Sequence, residues 1–414
     1  MRFLLLVLLS IQLYAVDATL KITKDVEQRA KISLVDSSTS ISPSLSDKFF
    51  SILVSDLKIS GHFIPDTQHY KESSQSDFIA PHLKSKEYVL KYQISQHSGL
   101  TIDIKLFRAY DGKLLTHKDY SVSSASKYPF LAHKMVTYMN DTLKYPDISW
   151  INRYIVFSRY TTAKRSEIVL ADYTMSFQKT VIRGGLNLFP KWADKNQRSF
   201  YYTSYAGTIP TLYRLNIYNG SKSRITSSQG MLVCSDVNYN TNKILVTMAP
   251  NGQPDIYEMS SGGGSARKVT SFAGIDVNGK YTTAGSIAFV SNRMGYPNIF
   301  TKPISGSAVS QLVFRGKNNN AVDAYENRIV YTSRESHKRY GQNTFNLYLT
   351  HTNDSSTRPL TSRGVNQFPR FSIDGSTILY MKQYQNRSSV GYINLISNQN
   401  LLFPLGGKVQ SIDW

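Results

Sequence analysis

The side chains that most often do chemistry are scattered through this sequence of 414 residues. The densest histidine group consists of His62, His69 and His82, and its spacing fits no metal site. The sequence contains no H-E-x-x-H motif, no P-loop and no G-x-S-x-G motif to place a catalytic serine. We therefore expect no metal, no cofactor and no catalytic residue, and interpret the chain as a binding scaffold rather than an enzyme.

Carboxylates leave one enzymatic alternative open, an exported hydrolase or lyase that uses a central channel. Such an enzyme needs histidines and carboxylates that converge from inner strands. The strands that we predict to be innermost contain no histidine but carry Asp236, Asp276, Asp323 and Asp413. The single cysteine, Cys234, lies in an apolar run, which predicts a buried and inert thiol. Gly262-Gly263-Gly264 lacks a strand-then-helix context and predicts a turn.

A unit of about 44 residues recurs from about residue 150 to the end and would position these carboxylates. Each copy begins with a β-branched or aromatic strand, and a second strand and turn-forming Gly, Asn and Ser residues follow. Four short strands at this period are typical of a β-propeller blade. Six copies of the first strand predict six blades, and they contain Ile155-Val156-Phe157, Phe200-Tyr201-Tyr202, Ile244-Leu245-Val246, Ile287-Ala288-Phe289, Ile329-Val330-Tyr331 and Ile378-Leu379-Tyr380.

A glycine stands seven residues before a bulky residue at several unit boundaries, as in Gly185 to Trp192 and Gly364 to Phe371. This spacing predicts a loop that turns into the innermost strand. The last copy, Gly407 to Trp414, has no further strands after it, and the first unit lacks room for its own innermost strand. We therefore expect the C-terminal strand to complete blade one and close the ring, which removes an open sheet edge.

The N-terminal part has a different pattern. Residues 1–15 begin with Met1 and the basic residue Arg2, continue with a short apolar run and end at the small residue Ala15. This pattern predicts a signal peptide that is cleaved after Ala15 or, as the second choice, after Ala18. The apolar run is too short to span a membrane. Residues 16–145 mix strands with two amphipathic helices, which begin at Pro43 and Pro129. The predicted fold is an N-terminal α/β domain followed by an all-β six-bladed β-propeller at residues 146–414.

The charge is unevenly distributed. The net formal charge is +20, and residues 1–145 hold 18 Lys and Arg against 14 Asp and Glu. The remaining 30 basic and 14 acidic residues give residues 146–414 a surplus of +16. Export argues against nucleic acid as the partner, so an acidic protein partner or an anionic envelope surface remains, unless the surplus only reflects a generally basic proteome.

Several elements carry a resemblance to the TolB family, the periplasmic components of Tol–Pal systems. Phe189-Pro190-Lys191-Trp192 and Phe368-Pro369-Arg370-Phe371-Ser372-Ile373-Asp374-Gly375 are similar to the family's F-P-x-W-S-P-D-G element. Pro254-Asp255-Ile256-Tyr257 and Arg267-Lys268-Val269-Thr270 resemble its P-x-I-Y and R-x-L-T elements. The resemblance covers nearly the whole chain after the predicted signal, because the helix near Leu53 is also similar.

The resemblance implies a periplasmic, monomeric scaffold that acts in envelope constriction and cell division. Such proteins bind a Pal-like outer-membrane lipoprotein at the propeller mouth and a TolA-like inner-membrane protein at the mature N-terminus. We expect mouth contacts on the loops that enter the innermost strands, at Leu186, Asn187, Met231, Leu232, Ile275, Asp276, Val365 and Asn366. We expect the N-terminal contacts at Val16, Asp17, Ala18, Thr19, Leu20, Lys21 and Ile22. A glycan-binding propeller is a further alternative, which would need rows of aromatic residues at the mouth.

Overall fold

The computed structural model describes residues 29–336, 343–384 and 387–414. Its N-terminal part is a mixed sheet with two helices, in which β1 pairs in parallel with β2, β3 and β4, and β4, β5 and β6 form an antiparallel meander. The elements are β1 Ala30–Asp36, α1 Pro43–Ser60, β2 Phe63–Pro65, β3 Tyr70–Lys71, β4 Tyr88–Gln96, β5 Leu100–Arg108, β6 Leu114–Val122 and α2 Tyr128–Thr142.

Both ends of α1 follow from local sequence. The Ser42 side chain accepts a hydrogen bond from the backbone N–H of Leu45 at 3.3 Å, and Pro43 occupies the first turn. Gly61 ends the helix in the left-handed conformation, at φ 78°, which a residue without a Cβ adopts at little cost. Between these caps, Phe49, Leu53 and Leu57 are fully buried against the sheet. The predicted start and apolar face of this helix are confirmed.

A second, larger part is built from units of antiparallel strands, as the repeat predicts. A short 3-10 helix, Ser149–Asn152, leads into it. The strands are β7 Ile155–Thr162, β8 Arg165–Ala171 and β9 Gln178–Ile182 in unit 1; β10 Asn187–Trp192, β11 Ser199–Ser204, β12 Thr211–Asn216 and β13 Lys222–Ser227 in unit 2; and β14 Leu232–Asn238, β15 Lys243–Met248, β16 Asp255–Ser260 and β17 Arg267–Lys268 in unit 3.

The later units have the same order of strands. They comprise β18 Asp276–Tyr281, β19 Ser286–Ser291, β20 Asn298–Pro303 and β21 Ser310–Gln311 in unit 4; β22 Lys317–Tyr325, β23 Arg328–Ser336, β24 Asn343–His351 and β25 Asp354–Pro359 in unit 5; and β26 Val365–Phe371, β27 Thr377–Tyr384, β28 Arg387–Asn394 and β29 Asn400–Pro404 in unit 6. Units 5 and 6 share one parallel residue pair, Phe345 with Val365.

The last strand, β30 Val409–Asp413, pairs with the first strand of unit 1. The strand order in this sheet is β30-β7-β8-β9, so unit 1 has four strands, like the other units. The register places Ile412 opposite Phe157, and the Ser158 and Ser411 hydroxyls lie 2.8 Å apart in the buried pair. The sequence predicts this pairing, because the first unit lacks room for its own innermost strand.

Apolar clusters lie between successive units rather than within one unit, so each unit buries its faces against its neighbours. Trp192 and Phe200 of unit 2, for example, pack against Ile168 of unit 1. The largest cluster joins units 6 and 1 to the N-terminal sheet and its helices. There the Trp150 and Trp414 rings lie 5.1 Å apart, so the end of the chain contributes directly to the contact between the two parts.

A fully buried polar cluster also joins the two parts. His133 of α2 contacts Asp56 of α1 through Nδ1, at 2.9 Å from Oδ2, and Asp172 of unit 1 through Nε2, at 3.4 Å from Oδ2. The hydroxyl of Tyr173 donates a hydrogen bond to Asp56. Burial alone would lower the pKa of His133, but the two carboxylates raise it to about 9. The imidazole is therefore a buried cation between two carboxylates at neutral pH.

Candidate functional site

One face of the unit-built domain collects the loops on which the mouth contacts are predicted. Every innermost strand begins at this face, and the second strand of each unit returns to it. We call it the mouth face. The N-terminal part packs at the opposite ends of the strands, as shown by the hydrogen bond from Asn394 Nδ2, at the end of β28, to the carbonyl of Ile59. Among the described residues, the N-terminal part therefore lies away from the mouth face.

The predicted contact residues divide into two sets by exposure. Met231 and Ile275 are 40% and 45% exposed, and Leu186 and Val365 are half-buried, so all four present side chains at the mouth face. The other four are buried: Asn187, Leu232, Asp276 and Asn366. Their side chains do not reach the surface, so only the first set is accessible at the mouth face.

The buried polar residues instead fix the shape of the loops. Asn187 Nδ2 donates to the carbonyl of Gly184 at 2.6 Å, and Asn366 Nδ2 donates to the carbonyl of Arg363 at 3.1 Å. Asp276 has a 3.0 Å ion pair with Arg293. Such bonds hold each of these loops in one conformation.

All six innermost strands shift their pairing register against the next strand, as in a β-bulge, and four of them have a left-handed residue at the shift, including Ala321 in unit 5. Phe189, Asn278 and Phe368 have φ values of 56°, 56° and 53°, and each lies where the pairing register with the next strand shifts. A bulge bends a strand and re-aims its side chains. The neighbouring sheets satisfy two of the freed N–H groups, since Phe189 donates to Ser411 Oγ and Asn278 to Thr247 Oγ1.

A cavity lies between the bulged strands. It has a volume of about 290 Å³ and is partly open to solvent. Its walls are mainly apolar and include Phe189, Met231, Val233, Val277 and Phe368. The mouth face also exposes Tyr296 and Phe314, two aromatic residues that the sequence does not reveal as surface residues. The cavity thus has the size and lining typical of a binding pocket.

Below the cavity, the innermost strands bring together a set of alternating charges. Units 1, 3 and 5 contribute carboxylates, and units 2, 4 and 6 contribute cations. Each carboxylate accepts a hydrogen bond from the backbone N–H of the aromatic residue at the end of the next innermost strand. The N···O distance is 2.9 Å in all three cases. The charge ring consists of Asp413, Asp236 and Asp323 with Lys191, Lys280 and Arg370, and the N–H donors are Trp192, Tyr281 and Phe371.

Ion pairs join the members of the charge ring across the units. Lys191 Nζ lies 2.9 Å from Asp413 Oδ1 and 3.8 Å from Asp236 Oδ1, and Lys280 Nζ lies 2.9 Å from Asp323 Oδ1. Burial alone would lower the pKa of Lys191, but the Asp413 and Asp236 carboxylates raise it above its usual value. Burial likewise opposes ionisation of Asp323, yet Lys280 and other cations lower its pKa. Lys191 and Asp323 are therefore charged at neutral pH, whereas burial lowers the pKa of Lys280 and raises that of Asp236.

The charge ring is the part of the site that the sequence analysis missed. It identified the inner-strand carboxylates but not their partners. The signal was nevertheless present, because a basic residue precedes the terminal aromatic residue in three corresponding strands: Lys191-Trp192, Lys280-Tyr281 and Arg370-Phe371. The glycine-to-aromatic spacing already aligns these strands, but the basic residue next to each aromatic residue was not compared between the units.

The histidine group does not converge. His62 Nδ1 lies 2.7 Å from Asn140 Oδ1, His69 contacts Asp36 and Asp47, and the exposed His82 packs beside a tyrosine ring. Across residues 29–336, 343–384 and 387–414, no group of three or more His, Cys, Asp or Glu side chains could hold a metal ion. The same ranges contain no helix that is both long and apolar enough to cross a membrane.

Residues 16–22, the predicted N-terminal contacts, lie outside the described residues, as does the predicted signal. Cys234 is buried as expected, and burial raises the pKa of its thiol, which leaves it a poor nucleophile. Gly263 and Gly264, at φ 99° and 103°, form the connection between β16 and β17, so the glycine run is a turn.

Comparisons with known proteins identify the family. The model of the TolB beta propeller domain matches residues 148–414. The chain is 43% identical to the Tol-Pal system protein TolB of Wolinella succinogenes, with 97% of each chain covered, and 40% identical to that of Helicobacter pylori, with 100% of each covered. The crystal structure of TolB from Acinetobacter baumannii superposes with a TM-score of 0.75 at 21% identity and covers 93% of this chain and 96% of that one. The chain therefore belongs to the TolB family.

Proposed function

We propose that this protein is the scaffold component of a Tol–Pal system and that it binds a Pal-like outer-membrane lipoprotein through the mouth face. Its full-length relatives are named as Tol-Pal system proteins. The observation that carries the binding role is the preformed apolar cavity, with Met231 on its wall and exposed. A site that is ordered in advance loses little conformational entropy on binding.

The proposed frame for this site is a six-bladed propeller that the C-terminal strand closes. It is supported by the strand pairing of β30 with β7 and by apolar clusters between successive units. We place a cleaved signal peptide at residues 1–15, an α/β domain at 16–145 and the propeller at 146–414. Closure would hold the mouth loops at fixed distances from one another, as a rigid binding face requires.

A binding role fits the central charges better than a catalytic one. The enzymatic alternative depends on Asp236, Asp276, Asp323 and Asp413 as reacting groups. Each of them is engaged by a basic side chain, and Asp236, Asp323 and Asp413 also accept a backbone N–H. In each of the four, both carboxylate oxygens already face a donor, so neither is free to accept a proton from a substrate. We therefore propose a non-enzymatic scaffold without cofactor.

The proposal extends to the remaining steps of envelope coupling. Residues 16–22 would bind a TolA-like inner-membrane protein, with an extended segment that adds a strand to the partner's sheet. The protein would act in the periplasm as a monomer and support outer-membrane integrity and constriction during division.

The mouth is tested with the purified periplasmic domain of the Pal-like lipoprotein from the same organism, by calorimetry or surface plasmon resonance. Met231→Asp places a charge on the apolar cavity wall, and we expect the dissociation constant to rise by at least about tenfold. The matched control is Tyr218→Asp, since Tyr218 is 74% exposed in the turn between β12 and β13 at the opposite face. Equal weakening by both variants, or no binding by the unmodified protein, would refute the mouth assignment.

The N-terminal site is tested by deleting residues 16–22 from the mature protein. We expect loss of binding to the purified C-terminal domain of the TolA-like protein and unchanged binding to the Pal-like domain. Loss of both interactions would show that the deletion damages the fold, and retention of both would place the TolA-like contact elsewhere.

A further inference from the structure

Unit 2 holds a concentration of positive charge away from the mouth. Residues 187–227 contain six basic residues and one acidic residue, whereas residues 232–268 in unit 3 contain three of each. We propose that the outer side of unit 2, with the adjoining edge of unit 1, is a docking surface for a membrane that contains anionic phospholipids. We call this surface the basic flank, and it consists of Lys179, Lys195, Arg198, Tyr218, Lys222 and Arg224.

Most of the basic flank lies at the end of the strands opposite the mouth. Lys195 is in the turn between β10 and β11, and Tyr218 is in the turn between β12 and β13. The backbone N–H of Ile217 donates to the carbonyl of Arg198 at 3.0 Å, so the two turns are neighbours. Lys222 begins β13, the outermost strand of the unit, directly after the second turn. These groups therefore share one outer corner of unit 2.

The neighbouring unit extends this surface. Lys222 is paired with Leu215 and Lys179 with Leu170, and both leucines pack in the apolar cluster between units 1 and 2. Paired residues of neighbouring strands lie on the same face of a sheet. The two lysines therefore project from the outermost strands of their units towards the same groove. Lys222 Nζ lies 3.7 Å from the centre of the Tyr213 ring, which holds its charge at the surface.

No carboxylate neutralises these cations. Asp194 is the single acidic residue of unit 2, and it accepts hydrogen bonds from the N–H groups of Arg198 and Ser199 at 3.0 and 3.1 Å and from the Ser199 hydroxyl at 2.9 Å. Its closest basic side chain is Arg214, at 3.9 Å. In the part of the chain that the structure describes, no basic side chain of the flank lies within ion-pair distance of an acid. Their charge is therefore available to a partner.

The shape of the basic flank favours a bilayer as the partner. Its cations are exposed on turns and edge strands of two units, and they do not converge on one recess as the ligands of a single phosphate would. A broad surface with many negative charges contacts them together. Tyr218 is 74% exposed at its turn. A tyrosine in such a position places an apolar ring and a hydroxyl among lipid headgroups, and neighbouring Lys and Arg side chains attract anionic lipids.

Vesicle sedimentation tests this docking surface. The mature protein is mixed with vesicles of phosphatidylcholine alone or of equal parts phosphatidylglycerol and phosphatidylcholine. Each basic side chain near an anionic bilayer strengthens binding about fivefold, so we expect Lys195→Gln/Lys222→Gln to weaken binding to the anionic vesicles about 25-fold. The matched control is Lys164→Gln/Lys408→Gln, which removes the same charge from exposed positions at the mouth face. It should weaken binding less than about twofold, because charges more than about 10 Å from the bilayer are screened.

Three outcomes would overturn the inference. Equal weakening by the two double variants would show that only the net charge of the protein matters. Equal binding to both kinds of vesicle would exclude recognition of anionic lipid, and absence of binding to either would exclude a bilayer as the partner. Because the altered lysines are exposed, urea unfolding of both double variants should match that of the unmodified protein.

A fluorescent label tests the orientation independently of net charge. Cys234 is buried, so an environment-sensitive dye can be attached selectively at Tyr218→Cys, with Lys164→Cys as the control position at the mouth face. We expect anionic vesicles to shift the emission of the first label to shorter wavelength and to leave the second unchanged. A shift at Lys164→Cys alone would place the membrane at the mouth and refute the basic flank. Binding of the Pal-like domain should be unchanged in Lys195→Gln/Lys222→Gln, so the two proposals fail separately.

Discussion

Removing His133 should uncouple the two parts of the molecule. In His133→Gln, the buried carboxylates of Asp56 and Asp172 lose the cation between them. Asp56 keeps the hydrogen bond from Tyr173, and Asp172 keeps those from the N–H groups of Thr174 and Phe177, so the carboxylates remain partly satisfied. Breaking a buried ion pair by removing one partner costs about 3–5 kcal/mol, and we expect a loss of unfolding free energy in this range.

The same cluster predicts a pH dependence. The unfolded imidazole has a pKa of about 6.5, and the folded value is raised to about 9. Because the folded state binds the additional proton, its contribution is complete below about pH 6.5 and is lost as the pH rises through about 9. A difference of this size corresponds to a loss on the order of 3 kcal/mol across that window.

Urea unfolding between pH 6 and pH 9.5 measures both effects. We expect the unmodified protein to lose stability over this range more steeply than His133→Gln, in which this titration is absent. His117→Gln is the matched control, because His117 forms an exposed pair with Asp103, and removing it should cost less than about 1 kcal/mol. If both variants have the same stability and the same pH profile, the buried pair does not contribute as argued.

Three further changes test other parts of the fold. Removing residues 409–414 leaves one edge of β7 unpaired, and we expect little soluble folded protein, measured by circular dichroism and yield; near-normal unfolding would contradict the role of β30. Lys280→Met leaves Asp323 without its closest cation and should cost about 3–5 kcal/mol, against less than about 0.5 kcal/mol for Lys408→Met at the surface. Gly375→Ala should destabilise more than Gly112→Ala, since both glycines have positive φ but only a Cβ at Gly375 would meet the Arg328 and Tyr325 side chains; equal losses in urea unfolding would exclude the steric contribution.

The sequence predicts those features of the fold that depend only on neighbouring residues. The start of α1 at Ser42-Pro43, its end at Gly61 and the turns at Gly220 and Gly375 follow from capping and positive φ, which depend on a few neighbouring residues. The pairing of the last strand was also predictable, because the repeat period leaves the first unit one strand short and the chain ends with one strand in excess.

The site was less predictable, because its shape arises where distant strands meet. Asn187 and Asn366 stand at loop positions that suggest exposure, but each turns inward to bond a carbonyl of its own loop. The bulge at Phe189 depends on the hydroxyl of Ser411, which is 222 residues away in the sequence. Neither a hydropathy pattern nor a local motif contains that information, so exposure could not be inferred for individual loop residues.

The pairing of β30 with β7 has a consequence for how the chain reaches its final form. Ser158 and Ser411, which lie 2.8 Å apart, are separated by 253 residues. A contact between residues so distant in sequence forms slowly, and this one must wait until the ribosome has completed the chain. Until then unit 1 lacks its innermost strand, and the exposed edge of β7 can recruit other chains. Chains that end prematurely should therefore be removed by proteases rather than accumulate, so that only full-length molecules present a finished mouth.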